Sequence, residues 1–390
     1  MKILVLLPRV PFPLEKGDKL RAFNHIRYLS KNNEIILCAL NDTAIHPDAI
    51  KNLRSFCKSI HIINISKVTI AANLAAALFK GIPFQTGYFY NKKAQNQIDK
   101  IIDQEKPDHI FCQLLRVAEY VKKHRIPKTL DYQDVFSKGV ERRIEKAPFY
   151  LKPLFSSEYR RLLNYENKVF SWFDNKTIIS EPDRDFIPHP EKDKIEIIPN
   201  GVDYEFFKPL NRKKEFEIVF IGNMGYPPNV NAAEFLAREI LPLVHQSKPD
   251  ARLLLAGASP DKRVLALQTD KIQVTGWVDD IRECYAKARI FIAPMQIGTG
   301  LQNKLLEAMA MKIPCITSPL ANSALGAKDG KDILVGNNPA EYAVLIIKLL
   351  ENAAFADEIA EAGYHFVTDN YDWERATSKL EEMMLKASKR

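Results

Sequence analysis

Residues 290–318 read IFIAPMQIGTGLQNKLLEAMAMKIPCITS, and this stretch decides the fold. A short apolar run, Ile290 to Pro294, reaches a turn bearing Gly298 and Gly300. A strong helix former, LLEAMAMK, follows, and a second apolar run, PCITS, begins directly after it. Strand, turn, helix and strand in that order make a βα unit feeding a parallel sheet.

The alternation continues in both directions. The second half carries strand-like runs at EIVFIG (217–222), ARLLLAG (251–257), IQVTGW (272–277) and DILV (332–335). The first half carries them at ILVLLP (3–8), NEIILCAL (33–40), IHIINI (60–65), HIFCQLL (109–115), KTLDY (128–132) and KTIIS (176–180), closing at KIEIIPN. With 390 residues the chain exceeds one ordinary core, so the pattern predicts an α/β protein of two Rossmann-like, doubly wound parallel-sheet domains. The polar, proline-containing segment VDYEFFKPLNRKKEFE is expected to link them.

Composition narrows the class. Apolar residues at 46% and charged residues at 27% are ordinary globular usage, so order is expected throughout. Cys38, Cys57, Cys112, Cys284 and Cys315 are dispersed without paired spacing and read as buried thiols of a reducing compartment. The first strand lacks a cleavable leader pattern, and the longest other apolar stretch, Val68 to Phe79, is shorter than the ~18 residues a span needs. The reading is a cytoplasmic, soluble protein. A formal net charge of +8 favours an anionic partner, and its dispersal outside any recognisable module argues against nucleic acid. Residues 138–174 mix Lys and Arg with aromatics, which predicts a long helix with a solvated basic face, or a peripheral membrane contact.

A glycine turn opening a helix is an anion site, because backbone N–H groups and the helix dipole both favour phosphate there. Lys304, read as an exposed cation about one turn into the helix, adds positive charge. Glu307, on the same face, is placed to accept hydrogen bonds from ribose hydroxyls. In the first half, Gly17 lies in PLEKGDKLR, where Lys16, Lys19 and Arg21 supply a positive field, and Asp131 and Asp134 sit at the C-terminal end of a parallel strand, where ligands bind. Asn229 or Asn231 is expected to cap the helix NAAEFLAREIL. Clustered His or Cys ligands are lacking, so no metal or other cofactor is expected.

PNGVDYEFF (199–207), EIVFIGNMGYPPN (217–229), TGWVDDIRECYAKARIFIAP (275–294) and LLEAMAMKIPCITS (305–318) resemble, in order and spacing, family 4 glycosyltransferases of the GT-B fold. The likeness runs from about Asn175 to Trp373. Within the family, the loops FPLEKGDKLR and GLQNKLLEAMAM resemble those of bacterial sugar transferases of polysaccharide biosynthesis. The resemblance implies two domains facing a central cleft: residues 1–203 for the acceptor, and 204–370 for a nucleotide-sugar. A C-terminal helix, 371–390, would return to the first domain, and its apolar stripe includes Trp373, Leu380, Met383, Met384 and Leu385. It further implies a retaining enzyme acting on a saccharide or lipid-linked saccharide.

Residue by residue, Glu307 corresponds to the second glutamate of the family's E-x7-E motif, which holds the ribose, while Thr299 stands where the first glutamate would contact the sugar. Gly222, Asn223, Gly225, Trp277, Gly298, Gly300, Gln302 and Asn303 line the donor side. The loop after EIVFIG supplies no cation, which leaves Lys304 for the diphosphate. Gly17, Lys19, Arg21 and Asp134 fall on the diphosphate and acceptor loops, and Asp131 lies about where relatives carry an acceptor-side histidine. Two rivals remain open: a sugar-nucleotide epimerase of the same architecture, and a non-catalytic nucleotide-sugar-binding subunit.

Overall fold

The apolar runs become strands of two parallel sheets in the computed structural model, which describes residues 1–14, 16–66, 70–74, 77, 81–298 and 300–389, Lys146 by its backbone alone. One compact unit comprises Met1–Pro199 with Trp373–Arg390, the other Asn200–Asp372. These limits compare with the sequence-based boundaries near 203 and 370.

The first unit holds β1 (Lys2–Leu7), β2 (Glu34–Asn41), β3 (Ser59–Asn64), β4 (His109–Gln113), β5 (Lys128–Asp131), β6 (Asn175–Ile178) and β7 (Glu196–Ile197) in the order β3-β2-β1-β4-β5-β6-β7. Every pairing is parallel. Helices cover both faces of such a sheet, so its central strands are apolar without alternation, as LVLL of β1 and IILCAL of β2 are. The order reverses between β1 and β4, which creates a switch point at their C-terminal ends.

The helix Trp373–Ser388 packs on this unit: Leu380 and Met384 join Ile3, Val5, Leu37 and Phe111 in one buried cluster. Trp373 is buried with them and meets the His25 ring edge-on at 5.6 Å, and His25 Nδ1 lies 3.0 Å from the Thr377 hydroxyl. Burial, helped by Arg21, holds the His25 pKa well below its ordinary value, so the imidazole is neutral in this core.

Between 136 and 170 the single long helix expected from the sequence is two helices, Phe136–Lys146 and Lys152–Phe170. Pro148 forces Ala147 out of the helical region (φ −78°, ψ 145°), and Pro153 suits the first turn of the next helix.

The second unit holds β8 (Phe216–Ile221), β9 (Leu253–Ala256), β10 (Ile272–Val274), β11 (Ala288–Ala293), β12 (Cys315–Thr317) and β13 (Leu334–Val335) in the order β10-β9-β8-β11-β12-β13. Its pairings are parallel too, and its switch point lies between β8 and β11. Among the described residues no helix is long and apolar enough to cross a membrane. The stretch Val68 to Phe79 lies largely outside them.

Candidate functional site

The loops leaving β8 and β11 meet at the switch point of the second sheet. After β11, Gly298 and Gly300 take φ values of 125° and 74°, a backbone that other residues reach only with strain. Thr299 between them lies outside the described residues. The turn delivers the helix Asn303–Ala310, so Lys304 sits in its first turn, earlier than the sequence suggested. The Gln302 amide donates to the Gly300 carbonyl at 3.3 Å, and Asn303 Oδ1 accepts from Asn200 Nδ2 at 2.9 Å.

Lys304 is partly buried, which corrects its reading as an exposed cation. Its ammonium donates to Asn229 Oδ1 at 2.5 Å and lies 4.8 Å from the centre of the Phe220 ring. Burial pulls its pKa down to about 7, against a smaller upward pull from Glu307. The Glu307 carboxylate accepts from the Tyr285 hydroxyl at 2.8 Å, and burial raises its pKa above the usual carboxylate range.

Asn229 is the residue that sequence reasoning misassigned. It does not cap the helix Pro227–Phe235: it lies inside the first turn, donates from Nδ2 to the Asn223 carbonyl at 2.9 Å and receives Lys304 on Oδ1. The neighbouring N–H of Gly225 donates to Asn223 Oδ1 at 3.0 Å. Gly222 lets these side chains come close, because a Cβ would stand 2.7 Å from Asn229 Nδ2 and 3.2 Å from Lys304 Nζ and displace them. Gly222, Asn223, Asn229, Lys304, Glu307 and Tyr285 therefore form one packed constellation. Trp277, at the C-terminal end of β10, is 62% exposed and remains available to a ligand. Tyr285 carried no signal in the sequence, since an isolated aromatic in RECYAKARIF reads as core.

At the corresponding edge of the first unit, Gly17 opens the helix Gly17–Leu29, and Lys19 donates to the Phe12 carbonyl at 3.2 Å. Arg21 and Asp131 do not face a ligand, which corrects both assignments. Each side chain has no solvent exposure, and the guanidinium grips the carboxylate through Nε–Oδ2 at 2.6 Å and Nη2–Oδ1 at 3.0 Å, with the Thr177 hydroxyl donating to Oδ1 at 3.0 Å. Two charges so paired hold β5 to the first helix, and neither is exposed to solvent. Asp134 is partly exposed and does not cap the helix Phe136–Lys146, whose N-cap makes no side-chain bond. Burial, with repulsion from Asp183, lifts its pKa to about 7.

Among the described residues no group of three or more His, Cys, Asp or Glu side chains converges to hold a metal ion. The second unit's arrangement can accept an anion at Lys304 and the glycine turn, and hydroxyl donors at Glu307.

Residues 215–352 match the family described as glycosyl transferases group 1. An uncharacterized 44.6 kDa protein in the cps region of Klebsiella pneumoniae is 21% identical over 97% of this chain and 98% of its own length. The Escherichia coli UDP-Gal:alpha-D-GlcNAc-diphosphoundecaprenol alpha-1,3-galactosyltransferase is 25% identical over 43% of this chain and 44% of its own. Among solved structures, Anabaena HepE in complex with UDP and glucose superposes with a TM-score of 0.70 at 12% identity, over 97% of this chain and 98% of that one. The family match falls within the second unit, and the chain as a whole has the GT-B fold of the HepE structure.

Proposed function

We propose that the protein transfers a sugar, with retention at the anomeric carbon and without a metal, from a nucleotide-sugar to a saccharide or lipid-linked saccharide, in the cytoplasm and in the making of a bacterial cell-surface polysaccharide. The observation that carries the donor assignment is Lys304: a partly buried amine whose close partner is a neutral amide, set in the first turn of a helix at a switch point. A diphosphate there supplies the missing counter-charge and restores full protonation of the lysine. Glu307, beyond it, accepts from the ribose. As the bond from the anomeric carbon to the phosphate oxygen breaks, the nucleoside diphosphate leaves with the electron pair, stabilised by Lys304 and the helix N–H groups. The acceptor oxygen bonds to the same face of the sugar, and its proton passes to a phosphate oxygen. Asp134 is the acceptor-side candidate in the first unit.

The Klebsiella relative's place in a cps region supports the polysaccharide role. The E. coli relative acts, by its name, on a diphosphoundecaprenol-linked sugar, and HepE is seen with UDP, so UDP-sugars lead the donor screen. Incubation with UDP-, GDP-, ADP- and dTDP-sugars plus lipid-linked saccharide should release free nucleoside diphosphate with one base, unaffected by EDTA. Binding with no release under any acceptor would leave a non-catalytic subunit, and interconversion of the bound sugar would make it an epimerase.

A further inference from the structure

We propose that the tip of the hairpin formed by the helices Phe136–Lys146 and Lys152–Phe170 is an interfacial anchor that seats the protein on an anionic phospholipid bilayer. At this tip Phe149 is 84% exposed, Tyr150 66% and Leu154 48%. Phe149 and Tyr150 stand edge-on at 5.7 Å, and Pro148 and Pro153 beside them are exposed as well. Single exposed apolar side chains are ordinary on a protein surface, whereas a contiguous group of them marks a contact surface.

The hairpin below the tip is firmly held. Glu141 joins Lys138 and the Tyr159 hydroxyl across the two helices, and buried Glu166 on the second helix accepts the Ser137 N–H at 3.0 Å, in the first turn of the first. The aromatics are thus presented by a fixed scaffold.

Charge and area decide the occupant. Arg143, Lys152 and Arg160 are exposed around the tip, with Glu145 as the exposed carboxylate among them, and the whole chain carries a net +8. That sign suits anionic headgroups. A stable protein partner needs roughly 800 Å² on each side, whereas large apolar side chains bury about 150–250 Å² apiece, and the three at this tip are already partly covered. An aromatic wedge with exposed cations on both helices is sufficient for the headgroup boundary, where apolar groups sink only ~5–10 Å. The anchor is independent of the donor assignment.

The test is co-sedimentation of the full chain with vesicles of phosphatidylcholine alone or mixed with phosphatidylglycerol. The wild type should bind the anionic vesicles about tenfold more tightly than the neutral ones, and about 0.5 M salt should remove most of the difference. The double variant Phe149→Ser/Tyr150→Ser should bind anionic vesicles about tenfold more weakly with unchanged melting temperature and nucleotide release, since both side chains are exposed. Lys152→Glu should lie between. Wild type that ignores anionic vesicles, or a double variant that binds like wild type, overturns the proposal. So does a wild-type dimer in sedimentation velocity that the double variant abolishes, because the tip would then serve a second copy.

Discussion

Each sheet carries, on the helix that follows a strand at its switch point, a cation drawn out of water, and the two cations meet opposite fates. Arg21, after β1, is locked by a carboxylate in bidentate geometry. Lys304, after β11, touches a neutral amide oxygen and feels its nearest carboxylate, Glu307, at longer range. A cation already matched with an anion belongs to the scaffold. A cation whose direct partner is a neutral dipole keeps a desolvation cost that an arriving anion can remove, which is what a binding site for diphosphate requires.

The largest consequence falls on the first unit. Arg21→Met leaves Asp131 buried without its cation and should destabilise that unit by about 3–5 kcal/mol, read as a drop in the urea midpoint, while Arg21→Met/Asp131→Asn should recover much of the loss. A loss under ~1 kcal/mol would mean that Asp131 does not depend on Arg21, and its acceptor-side role would reopen.

Lys304→Met should do the opposite. Removing a desolvated amine from an amide-lined pocket should leave stability unchanged or raise it by about 1 kcal/mol, while nucleoside diphosphate binding weakens by about 1.5–3 kcal/mol in calorimetric titration. A variant that binds as wild type does would remove the phosphate assignment.

The same residue sets a pH dependence. Without ligand, burial holds the Lys304 pKa at about 7, below the ordinary 10.5; a bound diphosphate raises it, so the complex holds more protons than the free protein. Donor affinity should therefore be level below pH ~7 and fall by up to about tenfold per unit as pH rises above it. Lys304→Met should flatten that slope. In the unliganded protein the folded state has the depressed pKa, so this group's contribution to stability is complete above 10.5 and declines as pH falls toward 7.

How much of this was legible follows from what kind of signal each feature leaves. Strands buried on both faces leave uninterrupted apolar runs, so both sheets could be read to within a few residues. The break in the 136–170 hairpin was also written, in Pro148 and Pro153, but the aromatic and basic pattern concealed it. Pro227 and Pro228 were a stronger clue than Asn229's own capping preference: proline at the start of a helix pushes the following asparagine inside the first turn, where its side chain is free to reach Lys304. Asp131 shows the limit. A carboxylate at the C-terminal end of a parallel strand points to the ligand edge, and only the fold reveals that Arg21, 110 positions away in the chain, already occupies it.

The smallest expected effect separates ribose recognition from charge. Glu307→Gln keeps an oxygen that can accept from the Tyr285 hydroxyl, so the packed constellation should survive and the melting temperature should hold. What changes is the bond to ribose, from a charged acceptor to a neutral one, a loss of about 1 kcal/mol, or roughly fivefold in nucleoside diphosphate affinity. Inorganic pyrophosphate meets two opposed changes. Losing a nearby negative charge favours it, and losing the support that Glu307 gives to Lys304 protonation disfavours it. Its affinity should thus shift by less than about twofold. Competition titrations of the two ligands against the same variant decide the matter: unequal losses place Glu307 on the ribose, whereas equal losses make it a charge-setting neighbour of Lys304 and leave the nucleoside to other contacts, with exposed Trp277 the first to test.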